Sequence, residues 1–285
     1  MSWPSGRGRR ASSATFGSRT DVGCVRDHNE DSLVVAPPLF VVADGMGGHA
    51  AGEVASEIAV NVIAERAPEH PDANELGRAV QAANHAILKA AHEGRGREGM
   101  GTTCTAAMLE GERLVIAQVG DSRAYLLHKG KIQQLTRDHS WLQQQLDFGL
   151  ITAQQAAVST QRNLVTRALG VARSVRVEVN EHALQSGDLL LLCSDGLSEM
   201  LHADELCAMA DSNAPLQGKA ERLVEAANHQ GGRDNISVLL VQVGPAPEGR
   251  PDLPPLAPQR PHPAHAALLA KRPKRSLLAR WLRLS

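Results

Sequence analysis

The stretch VVADGMGGHAAGE, residues 41–53, joins a hydrophobic strand to an amphipathic helix through a glycine-rich loop. A glycine loop that leads into a helix N-terminus is typical of a phosphate-binding turn. Here the strand ends in Asp44, whose negative charge repels a phosphate. We therefore expect a cation between this carboxylate and any phosphate. Gly45, which has no side chain, can bring its carbonyl oxygen close to such a cation.

Two nucleotide-binding motifs fit this loop poorly. Residues 45–50 formally match GxGxxG/A, but an aspartate directly precedes the first glycine. The acid about twenty residues on, Glu65, falls within a predicted helix rather than at the end of a second strand. These departures disfavour a dinucleotide site. A Walker loop is excluded, because Gly52 is followed by Glu53 instead of the required lysine.

Length and charge indicate the size of the domain and the kind of ligand that it can bind. A chain of 285 residues can form one full-sized domain with tails. The net charge of −1 conceals an excess of +3 in residues 1–14 and of +6 in residues 244–285, which leaves about −10 in residues 15–243. An acidic domain is a poor nucleic-acid binder and suits hard cations. We expect no nucleic-acid partner.

Composition divides the chain into three parts. Residues 1–14 are rich in Ser, Gly and Arg, which predicts a disordered basic tail, and residues 15–243 form the predicted domain. Residues 244–285 begin as a Pro-rich linker and end in a short basic amphipathic pattern around Trp281. We interpret this end as a solvated tail or as a weak contact with an anionic membrane or a partner.

The sequence predicts neither a secretory signal nor a membrane span. No apolar segment follows the basic N-terminus, and no window of about 18 residues is uninterruptedly apolar. The four cysteines include no CxxC pair, and Cys104 and Cys193 fall in apolar runs typical of buried thiols in a reducing compartment. We therefore expect a cytoplasmic protein.

Hydrophobic periodicity predicts an α+β fold. Residues 50–66, 73–92, 203–210 and 217–229 have helical patterns, and residues 138–168 are polar and partly helical. Pro37-Pro38 predicts a hairpin turn between two strands. Because strands follow strands and helices follow helices, we expect antiparallel sheets with helices packed outside them.

Aspartates recur where predicted strands end. Asp31 precedes the strand SLVVA, and four further aspartates end or begin an apolar run: Asp44, Asp121, Asp195 and Asp234. If these strand ends meet at one edge, their carboxylates repel one another until a cation neutralises them. Oxygen-only ligands favour Mg²⁺ or Mn²⁺ over zinc. The sequence therefore predicts a metal site.

Eight motifs follow one another along the chain: TDVGCVRDHNEDS, VVADGMGGHAAGE, GTTCTAAML, VGDSRAYLL, QLTRDHSW, NLVTRALG, LLLCSDGLSEM and GRDNISVLLV. Their order is that found in bacterial metal-dependent serine/threonine phosphatases of the PP2C (PPM) type, which this chain resembles over residues 15–243. The resemblance implies a central antiparallel β-sandwich flanked by helices on both faces.

The resemblance also implies a set of site residues. Asp44 would bridge two Mn²⁺ or Mg²⁺ ions, with the Gly45 carbonyl on one ion and Asp195 and Asp234 on the other. Asp31 would join the site directly or through water, with Glu30 behind it. Asp121 and Asp195 match a third ion site, Arg26 matches the arginine that binds the substrate phosphate, and residues 139–165 match a mobile flap.

The implied reaction is hydrolysis of phosphoserine and phosphothreonine in proteins by a metal-bridged water. The expected partners are phosphorylated proteins, including Ser/Thr kinases and their substrates, and we expect a monomer. Eukaryotic relatives carry a histidine directly after the Asp-Gly pair as a proposed general acid, whereas this chain has Met46, which cannot donate a proton. The general acid stays unassigned.

Two other functions share this sequence pattern. A non-catalytic binding module could retain the fold, although the full set of carboxylates and Arg26 argues against it. A regulator of stress signalling that dephosphorylates an anti-sigma-factor antagonist would use the same chemistry. Such regulators usually carry sensor domains, and the sequence shows none.

Overall fold

The computed structural model describes residues 15–48, 51–96, 98–157, 159 and 164–244. The predicted N-terminal tail lies outside this part of the chain, as does the predicted C-terminal tail apart from Gly244. No helix among the described residues is both long and apolar enough to cross a bilayer.

Two antiparallel sheets form the centre of the fold. One contains five strands in the order β1-β11-β10-β7-β8. These strands are β1 (Thr15–Asp21), β7 (Arg123–His128), β8 (Lys131–Gln134), β10 (Leu189–Cys193) and β11 (Ile236–Gln242). The other has the order β2-β3-β5-β6-β9, with β4 pairing to the end of β3. Its strands are β2 (Asp31–Ala36), β3 (Leu39–Met46), β4 (Gly101–Thr102), β5 (Cys104–Glu110), β6 (Arg113–Val119) and β9 (Glu178–Ala183).

Helices cover the outer face of each sheet. Ala51–Arg66 (α1) and Ala73–His92 (α2) pack on the six-stranded sheet. The short helices Trp141–Asp147 (α3) and Ala153–Ala157 (α4) lie between β8 and β9 in the order of the chain. The five-stranded sheet is covered by Asp195–Ser198 (α5), Ala203–Ala210 (α6) and Leu216–His229 (α7). The result is a sandwich of four layers, two of helices outside two of sheet.

The alternation of side chains explains why the central strands are hydrophobic throughout. In β3, Val41 points to the helices and Val42 points to the facing sheet. In β10, Leu191 likewise points to the helices and Leu192 points to the facing sheet. Successive side chains of a strand face opposite sides, and here both sides are buried. A continuous apolar run is therefore the expected sequence pattern for these strands.

The predicted architecture and most predicted elements are confirmed. The four predicted helices are α1, α2, α6 and α7, and the hairpin turn lies at Pro37–Pro38 between β2 and β3. Two differences are small. The apolar alternation in residues 174–184 predicts a strand, of which only Glu178–Ala183 pair with β6. The run TTCTAAML predicts one continuous strand, but it is interrupted at Thr103, between β4 and β5.

The contact between α7 and β1 gives a test of this packing. A Cβ atom added to Gly17 would lie 2.3 Å from the carbonyl carbon of Leu216, so the helix and the strand approach at backbone distance. We expect Gly17→Ala to lower the free energy of unfolding by about 2–3 kcal/mol. Gly218→Ala, in the same helix with open space at its Cβ position, should raise it by up to about 1 kcal/mol. Urea denaturation measures both, and equal effects would contradict this packing.

Candidate active site

Strand ends from both sheets meet at one edge of the sandwich, where the predicted aspartates lie together. Asp31 at the start of β2 is directly opposite Asp44 near the end of β3. Burial raises the pKa of Asp44 well above its usual value, and four neighbouring carboxylates raise it further: Asp31, Asp195, Asp121 and Asp234. The structure thus brings all five predicted aspartates into one electrostatic cluster.

Asp44 is fixed through its backbone rather than its carboxylate. Its N–H donates to the hydroxyl of Thr103 at 2.9 Å. Its carbonyl accepts from the Thr103 N–H and from the Thr102 hydroxyl, both at 2.8 Å. These contacts explain the break between β4 and β5, because Thr103 leaves the ladder to hold the end of β3. The carboxylate is left available for other partners.

Asp31 is almost fully buried with one oxygen unsatisfied. Its Oδ2 accepts from the hydroxyl of Ser194 at 2.7 Å, whereas its Oδ1 has no hydrogen-bond partner. Burial, followed by the charges of Asp234 and Glu30, raises the pKa of Asp31 to about 7, although hydroxyl donors including Ser194 oppose the shift. A buried carboxylate oxygen without a donor is costly unless something outside the protein binds it.

Asp195 and Asp121 form the second half of the cluster. Asp195 is the first residue of α5, its Oδ1 also has no partner, and burial raises its pKa well above the usual value. The carboxyl groups of Asp195 and Asp44 lie close enough to interact with each other. Asp121 follows β6, and burial is the main cause that raises its pKa to about 6. Glu199 adds a repulsive charge to both Asp121 and Asp195.

Gly45 lies in a tight backbone cradle beside the cluster. Its N–H donates to the carbonyl of Glu30 at 3.1 Å. A Cβ atom on Gly45 would lie 2.2 Å from the Gly52 carbonyl oxygen, so no other residue fits there. Burial raises the pKa of Glu30, whose carboxylate lies against Gly52. The loop and the start of α1 therefore pack directly on the residues that precede Asp31.

Arg26 lies at the exposed rim of the cluster. Its Nη2 donates to Oδ2 of Asp234 at 2.6 Å, and this hydrogen bond raises the pKa of the guanidinium. The other Asp234 oxygen accepts from the N–H of Asn235 at 2.8 Å. The buried Asn235 side chain also holds the loop that carries Arg26, through bonds to the backbone of Val22, His28 and Glu30.

Four polar neighbours of the cluster are not among the site residues that the sequence predicts: Thr103, Ser194, Asn235 and Glu199. Each lies inside one of the eight motifs, and all except Thr103, which lies between β4 and β5, are within four residues of a predicted ligand. Three are buried polar side chains next to apolar runs. That pattern is a usable signal, because a buried hydroxyl or amide must have a partner.

The chemistry of this donor set fits divalent cations. Two buried carboxylate oxygens lack a hydrogen-bond donor, and four carboxyl groups have raised pKa values. Among the described residues, no three His, Cys, Asp or Glu side chains already close around a single point as ligands do. The uncompensated buried charge is the feature that indicates a cation, because Mg²⁺ or Mn²⁺ would neutralise it through oxygen ligands.

A four-layer sandwich with an acidic cluster and an arginine at its edge is the arrangement of a metal-dependent phosphatase. Comparison with known sequences agrees with this class, since a profile of the Protein phosphatase 2C family matches residues 26–238. The chain belongs to the protein phosphatase 2C family, as its motifs predict.

Similar proteins come from several bacteria. The serine/threonine phosphatase stp of Listeria monocytogenes is 41% identical over 244 residues, which cover 81% of this chain and 97% of the relative. The serine/threonine protein phosphatase PstP of Mycobacterium tuberculosis is 40% identical over 231 residues, which cover 80% of this chain but 45% of that longer protein.

Solved structures show the same fold. The crystal structure of Mycobacterium tuberculosis PstP/Ppp has a TM-score of 0.78 at 38% identity and covers 81% of this chain and 99% of its own. A second structure, the catalytic domain of PstP in complex with two manganese ions, has a TM-score of 0.74 at 37% identity. It covers 80% of this chain and 97% of its own.

The raised pKa values predict how pH affects the metal-free protein. A carboxyl whose folded pKa lies above its unfolded pKa stabilises the fold at low pH, and that contribution is lost as pH rises towards the folded value. For Asp31 this contribution is lost between the ordinary pKa of 3.8 and the raised pKa of about 7. In EDTA we expect the free energy of unfolding to fall by about 1–3 kcal/mol between pH 5 and pH 8.

A matched pair of variants tests the cause of this fall. Asp44→Asn removes one buried charge, so it should stabilise the metal-free protein at pH 8 and flatten the pH dependence. Glu65→Gln, on the exposed face of α1, should leave the pH dependence unchanged. Denaturant unfolding in EDTA at several pH values measures this. A wild-type protein that becomes more stable from pH 5 to pH 8 would refute the proposed repulsion.

Proposed function

We propose that this protein is a Mn²⁺- or Mg²⁺-dependent protein serine/threonine phosphatase. The observation that carries the proposal is the buried aspartate cluster, with two carboxylate oxygens lacking partners, at the edge of a protein phosphatase 2C sandwich. The similarity to named serine/threonine phosphatases, including one in complex with two manganese ions, supports the same reaction class.

The proposed metal ligands are those that the resemblance to this family implies, and the clustering of the aspartates supports them. Asp44, at its centre, would bridge two ions, with the Gly45 carbonyl on one side and Asp195 and Asp234 on the other. Asp31 would complete the site directly or through water, with Glu30 behind it, and Asp121 with Asp195 would hold a third ion. Such ions lower the pKa of a coordinated water to give a nucleophile near neutral pH and neutralise phosphoryl charge.

Arg26 is the proposed phosphate-binding residue. Its side chain is 53% exposed, which leaves it accessible from solvent, and its guanidinium already binds a carboxylate oxygen of Asp234. A phosphate presents the same kind of acceptor, and arginine can bind two of its oxygens in a fork. Asn235 keeps the loop in place, so Arg26 can exchange one anionic partner for another without a change in the backbone.

The residue that protonates the leaving serine or threonine oxygen is not Met46. Met46 lies at the end of β3 opposite Gly101, and a thioether has no proton to donate. His49, the nearest histidine along the chain, lies outside the described residues. The proton must therefore come from a donor other than the residue at position 46.

The substrates we propose are phosphorylated proteins, including Ser/Thr kinases and their targets, in the cytoplasm. The acidic charge of residues 15–243 supports the absence of a nucleic-acid partner. We further propose that the catalytic domain spans residues 15–243 and acts as a monomer.

Activity assays test the proposal directly. Full-length protein should hydrolyse a phosphothreonine peptide and p-nitrophenyl phosphate in Mn²⁺ or Mg²⁺ and should lose this activity in EDTA. Asp44→Asn and Asp234→Asn should each lower kcat by at least about 100-fold, because each removes a proposed ligand. Circular dichroism checks that both variants fold. No turnover in either metal between pH 7 and pH 9 would contradict the proposal.

The basic tail, residues 244–285, has a separate proposed role in weak contact with anionic lipid or an acidic partner. It carries a net charge of +6, and each basic residue near an anionic surface contributes about 1 kcal/mol. Sedimentation with phosphatidylserine vesicles should pull down the full-length protein and not a 1–244 truncation. Binding should weaken as salt is raised. Equal, negligible sedimentation of both proteins would exclude the lipid contact.

A further inference from the structure

His139 joins the turn that carries Asp121 to another part of the chain. It is buried, with 6% of its surface exposed. Its ring Nδ1 accepts from the backbone N–H of Gly120 at 3.1 Å, and the backbone N–H of His139 donates to the Gly120 carbonyl at 2.9 Å. Gly120 directly precedes Asp121 and therefore has both of its backbone polar groups bound to one residue.

The neighbour of His139 holds the other side of the same turn. Asp138 binds the guanidinium of Arg123 through both carboxylate oxygens, with distances of 2.6–3.1 Å. This ion pair is mostly buried, with side-chain exposures of 29% for Arg123 and 10% for Asp138. Two consecutive residues thus fix positions 120 and 123, and Asp121 lies between them.

The far side of the His139 ring faces a different segment. Its Nε2 lies 3.3 Å from Oε2 of Glu178 and 2.9 Å from Nη1 of Arg167. The His139 carbonyl accepts from the N–H of Thr166 at 2.7 Å. The N–H of Trp141 donates to the Leu164 carbonyl at 2.9 Å. Residues 139–141 and 164–167 therefore form a short antiparallel pair, here called the flap base.

The hydrogen bonds assign the ring's proton. Because Nδ1 accepts from Gly120, the proton of a neutral ring lies on Nε2, where Glu178 can accept it. Burial is the main cause that lowers the pKa of His139, and the charge of Arg167 acts in the same direction, whereas the hydrogen bond with Glu178 opposes the shift. The neutral ring is thus an acceptor towards the Asp121 turn and a donor towards Glu178 of β9, and its close approach to Nη1 of Arg167, which is also a donor, is not a second hydrogen bond.

Other contacts hold the residues that directly follow the flap base, independently of the ring. Thr102 and Leu169 exchange two backbone hydrogen bonds, at 2.9 and 3.1 Å. Asn84 accepts from the N–H of Gly170 at 2.8 Å. A change confined to the His139 ring should therefore leave the fold intact.

We propose that His139 is a positioning residue that sets the place of the Asp121 carboxylate and couples it to the flap base. Removing the ring should loosen the Asp121 turn, weaken any cation that Asp121 helps to hold and alter the surroundings of Trp141. The inference rests on the proposed function only in giving Asp121 a metal-binding role. The coupling itself can be measured without metal.

Two substitutions separate the two sides of the ring. Asn places an amide oxygen near the position of Nδ1, so His139→Asn keeps an acceptor for Gly120 and loses the contacts with Glu178 and Arg167. Gln reaches towards the position of Nε2, so His139→Gln keeps a polar group near Glu178 and Arg167 and loses the acceptor for Gly120. His139→Ala loses both. His128→Ala, which removes a half-buried histidine paired with Asp188, is the control.

The variants are made in the full-length chain with Trp3→Phe and Trp281→Phe, which leaves Trp141 as the single tryptophan. In EDTA, NMR measures the exchange rate of the Gly120 amide and fluorescence reports the surroundings of Trp141. We expect exchange to rise about tenfold in His139→Ala and His139→Gln and to stay near the parent rate in His139→Asn. The Trp141 emission should shift in the Ala and Asn variants.

Titration with Mn²⁺ alone gives the third measurement. The weakest class of Mn²⁺ site should lose about tenfold in affinity in His139→Ala, recover in His139→Asn, and stay unchanged in His128→Ala. Unchanged Gly120 exchange in His139→Ala, or no difference between the Asn and Ala variants in exchange and affinity, would overturn the proposal. Failure of the parent protein to hydrolyse phosphopeptides would instead contradict the proposed function and leave the exchange result standing.

Discussion

The repulsion among five carboxylates at one edge of the sandwich is the constraint on which the site depends. The strands deliver these groups to a buried edge, where burial and neighbouring charge raise the pKa values of Asp31, Asp44, Asp121 and Asp195. Such a cluster opposes folding at neutral pH. The large hydrophobic core, with sheets buried on both faces, supplies the stability that tolerates it. A divalent cation removes the conflict and gives the cluster a chemical use.

The scaffold around the cluster keeps its carboxylate oxygens available. Thr103 binds the backbone of Asp44, Ser194 binds a single oxygen of Asp31, and Asn235 holds the loop that carries Arg26. These supports are neutral hydroxyl and amide groups, so they fix geometry and add little charge compensation. The residues are thus held in place before any ion or substrate binds, which is what a preorganised site requires.

The sequence predicts most of the fold because burial on both faces leaves a clear pattern. Runs such as LFVVAD and LLLLCSD indicate buried strands that end in a carboxylate, and the helical spacing in residues 73–92 predicts α2 closely. The meeting of Asp31 and Asp44 follows from the hairpin at Pro37–Pro38. The ion pair of Arg26 with Asp234 joins residues far apart in the chain, and the support of Asp44 by Thr103 depends on a break in a strand. Neither contact is indicated by a periodic pattern in a single sequence.

The most direct measurement of the central claim is an anomalous diffraction map from crystals of the protein grown with Mn²⁺. We expect two strong peaks on either side of the Asp44 carboxylate, one near the Gly45 carbonyl and the other near Asp195 and Asp234. Well-ordered crystals that show no peak beside Asp44, or Mn²⁺ bound only at sites away from these aspartates, would contradict it.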